Sequence, residues 1–371
     1  MRILIAPDKF KGSLGASEVA ERIAAGLRAV LPTAELEIVP IADGGEGTAE
    51  AICRGRGGKW LTCPAHDALG RALDAPYGWL AKSRLAILEM SAAAGLQQLA
   101  PNERNPLLTS TFGVGELLRA AAARGAQEII IGLGGSATND GGSGMARALG
   151  FRFFGNNGAE LSGTAAGLLD LARIEQPNEL SLPRITAACD VRNPLLGPSG
   201  ATRVFAAQKG ATPPQIEILE RALTRLAEIA RQTFERDHRA VPGAGAAGGL
   251  GFGLLTFCRA QVRPGFEVVA EALDLRERIE RADIVITGEG KLDGQTLEGK
   301  APAGMAQLAR ALRKPVFAIA GQATEDHAAR QLFDRVVTLD DPSLDYRDAA
   351  PLLERRAREL ALSEGVFGAI S

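Results

Sequence analysis

Residues 1–41 read MRILIAPDKFKGSLGASEVAERIAAGLRAVLPTAELEIVPI. An apolar run over 2–6 gives way at Pro7-Asp8-Lys9 to a polar turn. Ser17 stands as an N-cap ahead of Val19, Ile23, Leu27 and Val30, which keep helical spacing, and Pro32 stops that helix before a second apolar run over 36–41. Strand, helix, strand is the opening of an α/β fold. The first run is too short for a secretory h-region or a membrane span, so it is expected to be the first strand of the sheet.

The same alternation returns at the far end of the chain. Runs at 283–287, 315–320 and 335–339 read as strands, with helices near 303–312, 325–333 and 348–362. Together with the first two they give five strands, enough for one parallel sheet if the middle of the chain is a long insertion. From about residue 56 the pattern shifts to shorter strand-like runs at 59–63, 73–80 and 84–90, separated by Pro and Gly. The expected organisation is therefore a discontinuous domain, 1–56 and 275–371, with an α/β domain inserted at 57–274. Inside the insertion, a helix near 115–123, the run 128–131, a glycine-rich loop and a helix near 144–149 continue the βα pairing. A long helix follows Pro213 and Pro214, with Ile216, Leu219, Leu223, Leu226 and Ala230 on one face.

Composition narrows the function classes. Lys and Arg number 42 against 44 Asp and Glu, so no strong field draws the chain to nucleic acid or an anionic membrane, and a small-molecule ligand is expected. Cys53, Cys63, Cys189 and Cys258 are far apart and form no C-x-x-C pair, which fits a reducing cytoplasm better than a zinc site or disulfide framework. His66, His238 and His327 show no ligand spacing and are expected at the surface. The 44 glycines exceed the usual share of about 7% and cluster, as loops built around a ligand would require.

Several glycine patterns imitate better-known ones. Gly132-Leu-Gly134-Gly-Ser-Ala137 and Gly243-Ala-Gly245-Ala-Ala-Gly248 both fit G-x-G-x-x-G/A, but neither sits in a βαβ unit closed by an acidic residue, so a nicotinamide site is not expected. The stretch 294–301 has the glycine and lysine spacing of a P-loop with Ala301 in place of the magnesium-binding hydroxyl, leaving Lys300 as a point charge for phosphate.

Phosphoryl transfer needs N–H groups around phosphate oxygens, carboxylates, fixed cations and a base. Gly134-Gly135-Ser136-Ala-Thr138-Asn139-Asp140-Gly-Gly lies between a strand and a helix, and is expected to be the main phosphate loop. Asp43-Gly-Gly-Glu46-Gly-Thr48, Asp8 with Lys9 and Lys11, and Gly288-Glu289-Gly-Lys291-Leu-Asp293 all follow strands of the proposed sheet. Asp8, Asp43 and Glu289 should then face one crevice at its carboxyl edge. Asp190, ending a strand in Cys189-Asp190-Val191-Arg192-Asn193-Pro194, is the candidate general base.

Read together, Ile-Ala-Pro-Asp8, Ala42-Asp43-Gly-Gly-Glu46-Gly-Thr48, the 134–142 loop, Ala188-Cys-Asp190-Val, Asn193-Pro-Leu-Leu-Gly, Gln208-Lys209-Gly-Ala, Val241-Pro-Gly-Ala-Gly-Ala-Ala-Gly-Gly and Asp283-Ile-Val-Ile-Thr-Gly-Glu289-Gly resemble, in order and spacing, the bacterial glycerate kinase family, type 1. The resemblance spans roughly residues 1 to 340. It implies ATP and Mg2+ as cosubstrates, D-glycerate as acceptor and 2-phosphoglycerate as product. It also implies a flavodoxin-like domain joined to a second α/β domain, with the active site in the cleft between them. On that basis Asp190, Lys209 and Lys11 are expected to be catalytic, and Asp8, Asp43, Glu46, Asn193 and Arg203 to bind substrate. Gly134, Gly135, Ser136, Asn139, Asp140 and Lys300 are expected at the nucleotide, and Asp43, Glu289 and Asp293 at magnesium. The chain departs from the family pattern at Lys9, Arg192, Ala206-Ala207 and Lys291, which keeps a kinase for another small hydroxy acid in view. A non-catalytic sensor of a phosphorylated metabolite is the rival from another class. The sequence leaves a homodimer open and gives no sign of a nucleic-acid or membrane partner.

Overall fold

The computed structural model describes residues 1–294, 296, 300–324, 330–339 and 349–363, in two compact units. The first comprises 1–43, 50–56 and the chain from 266 onward, and the second 44–49 and 57–265. The second unit thus ends at Gly265 rather than at 274, and it takes the six residues 44–49 out of the first.

In the first unit five strands form one sheet in the order Arg335–Thr338, Val316–Ala323, Ile284–Leu292, Arg2–Ile5, Glu35–Ile38, every neighbouring pair parallel. The inner strands carry unbroken apolar runs because both faces are covered: Ile3, Leu4, Ile5, Ile284, Val285 and Ile286 are all fully buried. The helix Ala16–Arg28 presents Val19, Ile23 and Leu27 to this core, and Ala349–Leu362 presents Leu352, Leu353, Ala357 and Leu360. From Arg2–Ile5 the chain goes to Glu35–Ile38 on one side, while Ile284–Leu292 lies on the other. This divergence marks a topological switch, the point where open α/β sheets bind ligands beyond their carboxyl edge.

One expectation fails here. The strand does not stop at 287 and release a loop at 288–294; it runs to Leu292, so Glu289 and Lys291 are strand residues. Gly288 and Gly290 permit it by close backbone approach: a Cβ on Gly290 would stand 3.2 Å from Lys11 N. Residues 325–329 of the expected helix at 325–333 lie outside the described residues.

The second unit holds six strands in the order Gln261–Arg263, Arg184–Ala188, Glu128–Gly132, Leu85–Glu89, Ala72–Leu80, Lys59–His66. The first four are parallel, and the last two extend the sheet antiparallel. Register pairs Glu89 with Gly132 and Gly132 with Ala188, so three parallel strands end level. Helices Phe112–Ala123 and Pro213–Phe234 bury Val114, Leu117, Leu118 and Leu219, Leu223, Leu226, most of them in the main core of this unit. Among the described residues no helix is long and apolar enough to cross a membrane, and all four cysteines are free and buried. His66 and His238 are not free surface residues: they are half-buried against Glu116 and Thr256.

Candidate active site

At the switch point of the first unit, Asp8 follows Arg2–Ile5 and is tied to the next strand by its own N–H, which donates to Gly288 O at 2.8 Å. Its carboxyl is buried. Burial first, and then the charge of Asp43, push its pKa well above the usual carboxylate range; the Lys9 N–H, donating to Asp8 Oδ1 at 2.6 Å, and the Lys9 ammonium oppose the shift, and Glu289 adds to it. Glu289 is also raised, chiefly by burial, against a hydrogen bond from Thr296 Oγ1 at 2.7 Å and the charge of Lys300. Lys300 Nζ lies 3.7 Å from Glu289 Oε2 and 3.8 Å from Asp293 Oδ1, and Lys291 Nζ is 3.4 Å from Asp293 Oδ2. The unit therefore gathers Asp8, Asp43 and Glu289, with Asp293 on the flank shared with Lys300.

The expected magnesium trio is not assembled as a cage: among the described residues no three His, Cys, Asp or Glu are grouped to hold a metal ion. Glu289 and Asp293 face Lys300 instead. Most of the P-loop-like stretch before Lys300 lies outside the described residues, namely 295 and 297–299. Lys11 sits on an exposed turn after Phe10.

In the second unit the segments after the level strand ends converge. Gly135, Gly141 and Gly142 adopt positive φ of 71°, 63° and 76°, a conformation that side-chain-bearing residues rarely take. The loop is clamped to residues 94–96, since Leu96 N–H donates to Gly135 O at 2.8 Å and Ala137 N–H to Ala94 O at 2.9 Å. Asp140, expected at the nucleotide, is instead the loop's internal brace. Wholly buried, its Oδ2 accepts from Thr111 N–H and Oγ1–H, both at 2.8 Å, and from Gly144 N–H at 3.1 Å, while Oδ1 accepts from Gly142 N–H at 3.0 Å. Burial raises its pKa and these bonds oppose the rise.

Lys209 is likewise buried and bonded to the loop. Its buried Nζ donates to Ser136 Oγ at 2.6 Å and to Thr138 O at 2.7 Å. Burial lowers its pKa to about 7, opposed by the charge of Asp140. Asn139 Nδ2 donates to Thr202 Oγ1 at 3.0 Å, while Asn139 Oδ1 and Thr138 Oγ1 are buried without a partner.

The segment 44–49 lies against this loop. A Cβ on Gly134 would stand 2.7 Å from Gly45 Cα, and one on Gly135 would stand 2.6 Å from Glu46 Oε1. Glu46 Oε2 accepts from Gln97 Nε2 at 3.2 Å. The segment is pinned by Glu89, whose Oε1 accepts from Gly47 N–H and Ala49 N–H, each at 2.9 Å. Sequence reasoning missed Glu89 because a lone acid ending an apolar run gives no hint of partners some forty residues away. Thr111 and Thr202 were missed for the same reason.

Asp190 follows the strand Arg184–Ala188, and its Oδ1 accepts from Gly265 N–H at 3.0 Å, which fixes the carboxylate's orientation. Asn193 braces its own loop by donating to Ser199 O at 2.8 Å. Arg203, expected at the substrate, is exposed and forked onto Glu217, with Nη2 at 2.8 Å from Oε2. A guanidinium so committed must break that pair before it can meet a second carboxylate.

The family model described as Glycerate kinase family matches residues 3–362. A glycerate kinase from Bacillus subtilis (strain 168) is 42% identical over 375 residues, covering 98% of this chain and 97% of the relative. A glycerate 2-kinase from Escherichia coli (strain K12) is 42% identical over 376 residues, covering 97% of each. Among solved structures, one assigned to glycerate kinase 2 of Salmonella typhimurium LT2 superposes with a TM-score of 0.87 at 43% identity, covering 97% of both chains.

Proposed function

The chain belongs to the glycerate kinase family, and from that membership we propose that it transfers the γ-phosphate of ATP to the C2 hydroxyl of D-glycerate, giving 2-phosphoglycerate. The observation that carries the phosphoryl-transfer chemistry is the 133–142 loop, turned by three left-handed glycines and hydrogen-bonded to buried Lys209 and, within it, to Asp140. Such a loop offers fixed N–H donors to oxyanions without reorganising during the reaction. The position of transfer is supported by the E. coli relative, which is named for the 2-position.

In this reading Asp190, oriented by Gly265 N–H, receives the C2 hydroxyl proton as the oxygen attacks phosphorus. The N–H groups of Gly134, Gly135 and Ser136 hold phosphate oxygens, Glu46 beside Gly135 orients the bound ligand, and Lys11 meets the glycerate carboxylate. Lys209 keeps the loop in shape. The first unit's carboxyls offer the oxygen donors that magnesium takes: burial first, and neighbouring carboxylates after it, raise Asp8 and Glu289, and a cation beside them would oppose that rise. One or two of Asp43, Glu289 and Asp293 would hold the ion, the remainder of its shell being water and phosphate oxygen. When bound, magnesium neutralises charge on the transferring phosphate.

A ³¹P NMR time course of the protein with ATP, magnesium and D-glycerate tests this. Appearance of 2-phosphoglycerate is the expected result; 3-phosphoglycerate would overturn the C2 assignment, and turnover only with another hydroxy acid would overturn the substrate.

A further inference from the structure

Arg104 follows the short turn Pro101–Glu103 and opens a segment that runs along the 133–142 loop. Downstream of it, Thr109 Oγ1 donates to Ala137 O at 3.0 Å and Thr111 donates twice to Asp140. At its own position the backbone of Arg104 lies against Gly210, so closely that a Cβ there would overlap the Arg104 carbonyl oxygen; Gly210 has φ +93°, and only glycine suits both demands. The residue before Gly210 is Lys209, whose ammonium reaches Ser136 and Thr138. Arg104 is thus packed against the residue that follows the loop-bonded Lys209, and its own segment is bonded to the loop through Thr109 and Thr111.

Their situations differ. The donors of Lys209 that meet Ser136 and Thr138 are satisfied inside the protein. Arg104 is half-buried, its Nε is fully buried and meets no acceptor, and among the described residues no hydrogen bond or ion pair holds its side chain. Nearby arginines behave otherwise: Arg71 is paired with Asp67 and Glu103, and Arg203 with Glu217. A buried donor on a charged group is costly to leave unmet, so a protein keeps one where a ligand supplies the acceptor. Thr138 Oγ1 and Asn139 Oδ1, also buried and unmet, lie in the same loop.

We propose that Arg104 is an oxyanion-binding residue beside this loop, presenting its planar fork to a carboxylate or phosphate of the reactants. The inference rests on the reading of 133–142 as the phosphate cradle and adds to it a specificity-determining cation. Carboxylate and phosphate share the chemistry that a guanidinium recognises, and affinity measured for each reactant separates them.

The experiment uses the full chain with Arg104→Ala and titrates magnesium–ADP and D-glycerate separately by calorimetry, alongside KM for ATP and glycerate and kcat. The expected result is that one ligand weakens by at least about tenfold while the melting temperature holds, or that added guanidinium restores the loss. Weakening of glycerate identifies the carboxylate, weakening of ADP a nucleotide phosphate, and a fall in kcat alone the phosphoryl group in flight. Affinities and kcat all within about twofold of wild type, or a loss that follows a lowered melting temperature and is not restored by guanidinium, overturn the proposal. If Arg104→Ala does not fold, Arg104→Lys, which keeps charge without the fork, decides on the same readings. Hydrogen exchange in the wild type separates the two layers: absence of ligand protection at amides 134–138 sinks the cradle reading, whereas protection with an indifferent Arg104 variant sinks only this inference.

Discussion

Lys209 Nζ donates to Ser136 Oγ across 2.6 Å, and the burial that encloses this ammonium makes it sensitive to pH. Burial brings Lys209 down to about 7, against about 10.4 in an unfolded chain. Between those values the unfolded chain keeps a proton that the folded chain has released, so this group's contribution to stability rises with pH from about 7 to about 10 and levels off below about 7, where both states hold the proton. Denaturant unfolding at pH 7 and pH 9 should show wild type gaining on Lys209→Met at the higher pH. Parallel behaviour of the two proteins would mean that the lysine is charged throughout.

Asp8→Asn should stabilise the protein and abolish turnover. The folded carboxyl is raised above its unfolded value, so its contribution is present at acid pH and is lost as pH rises through the folded pKa. Removing the charge should therefore raise stability at pH 8 by on the order of 1 kcal/mol, read as a higher melting temperature, and change it little at pH 4. The Lys9 N–H keeps an acceptor in the amide oxygen, so the comparison isolates the charge.

For Asp190→Asn, turnover should fall by about 10²–10⁴-fold, the usual contribution of a positioned base. The asparagine oxygen can still accept from Gly265 N–H, so melting temperature and ADP affinity should stay near wild type. A loss of turnover within about tenfold would remove Asp190 from the proton transfer.

Glu89→Ala should free the segment it pins. Gly47 N–H and Ala49 N–H lose their acceptor, at a cost of about 1–3 kcal/mol, and their amides should exchange faster. Because Glu46 rides on that segment, KM should rise more than kcat falls. Glu89→Gln retains an acceptor and should restore both exchange and KM; failure of that rescue would point to the charge rather than the bonds.

The five-stranded sheet was legible because strands covered on both faces must be apolar without interruption, as in Ile3-Leu4-Ile5 and Ile284-Val285-Ile286. The extension of the third strand to Leu292 was not, since Gly288-Glu289-Gly290-Lys291 has the composition of a turn and becomes a strand only through pairing with Val316–Ala323. At the site, the glycine loops could be read because positive φ leaves its mark on residue choice. Which charged residues touch a ligand and which hold the loop could not be read. Asp140 and Lys209 look like contact residues in sequence, and burial turns them into braces; Arg203 looks available, and Glu217, fourteen residues on, claims it. Arg104 carried no signal at all, because the lack of a partner is a property of the fold.

The six residues 44–49 belong to the second unit although both their flanks belong to the first. Gly44 and Gly45 cover Gly132, Gly134 and Ala188 at the ends of strands they do not adjoin in the chain. The second unit is consequently not a cassette that a gene fusion could lift out at 57–265, for such a piece would leave behind a short strip of its own surface. Recombination that exchanges one half of this protein for a relative's must carry both crossings of the chain or neither, which ties the inheritance of the two units together.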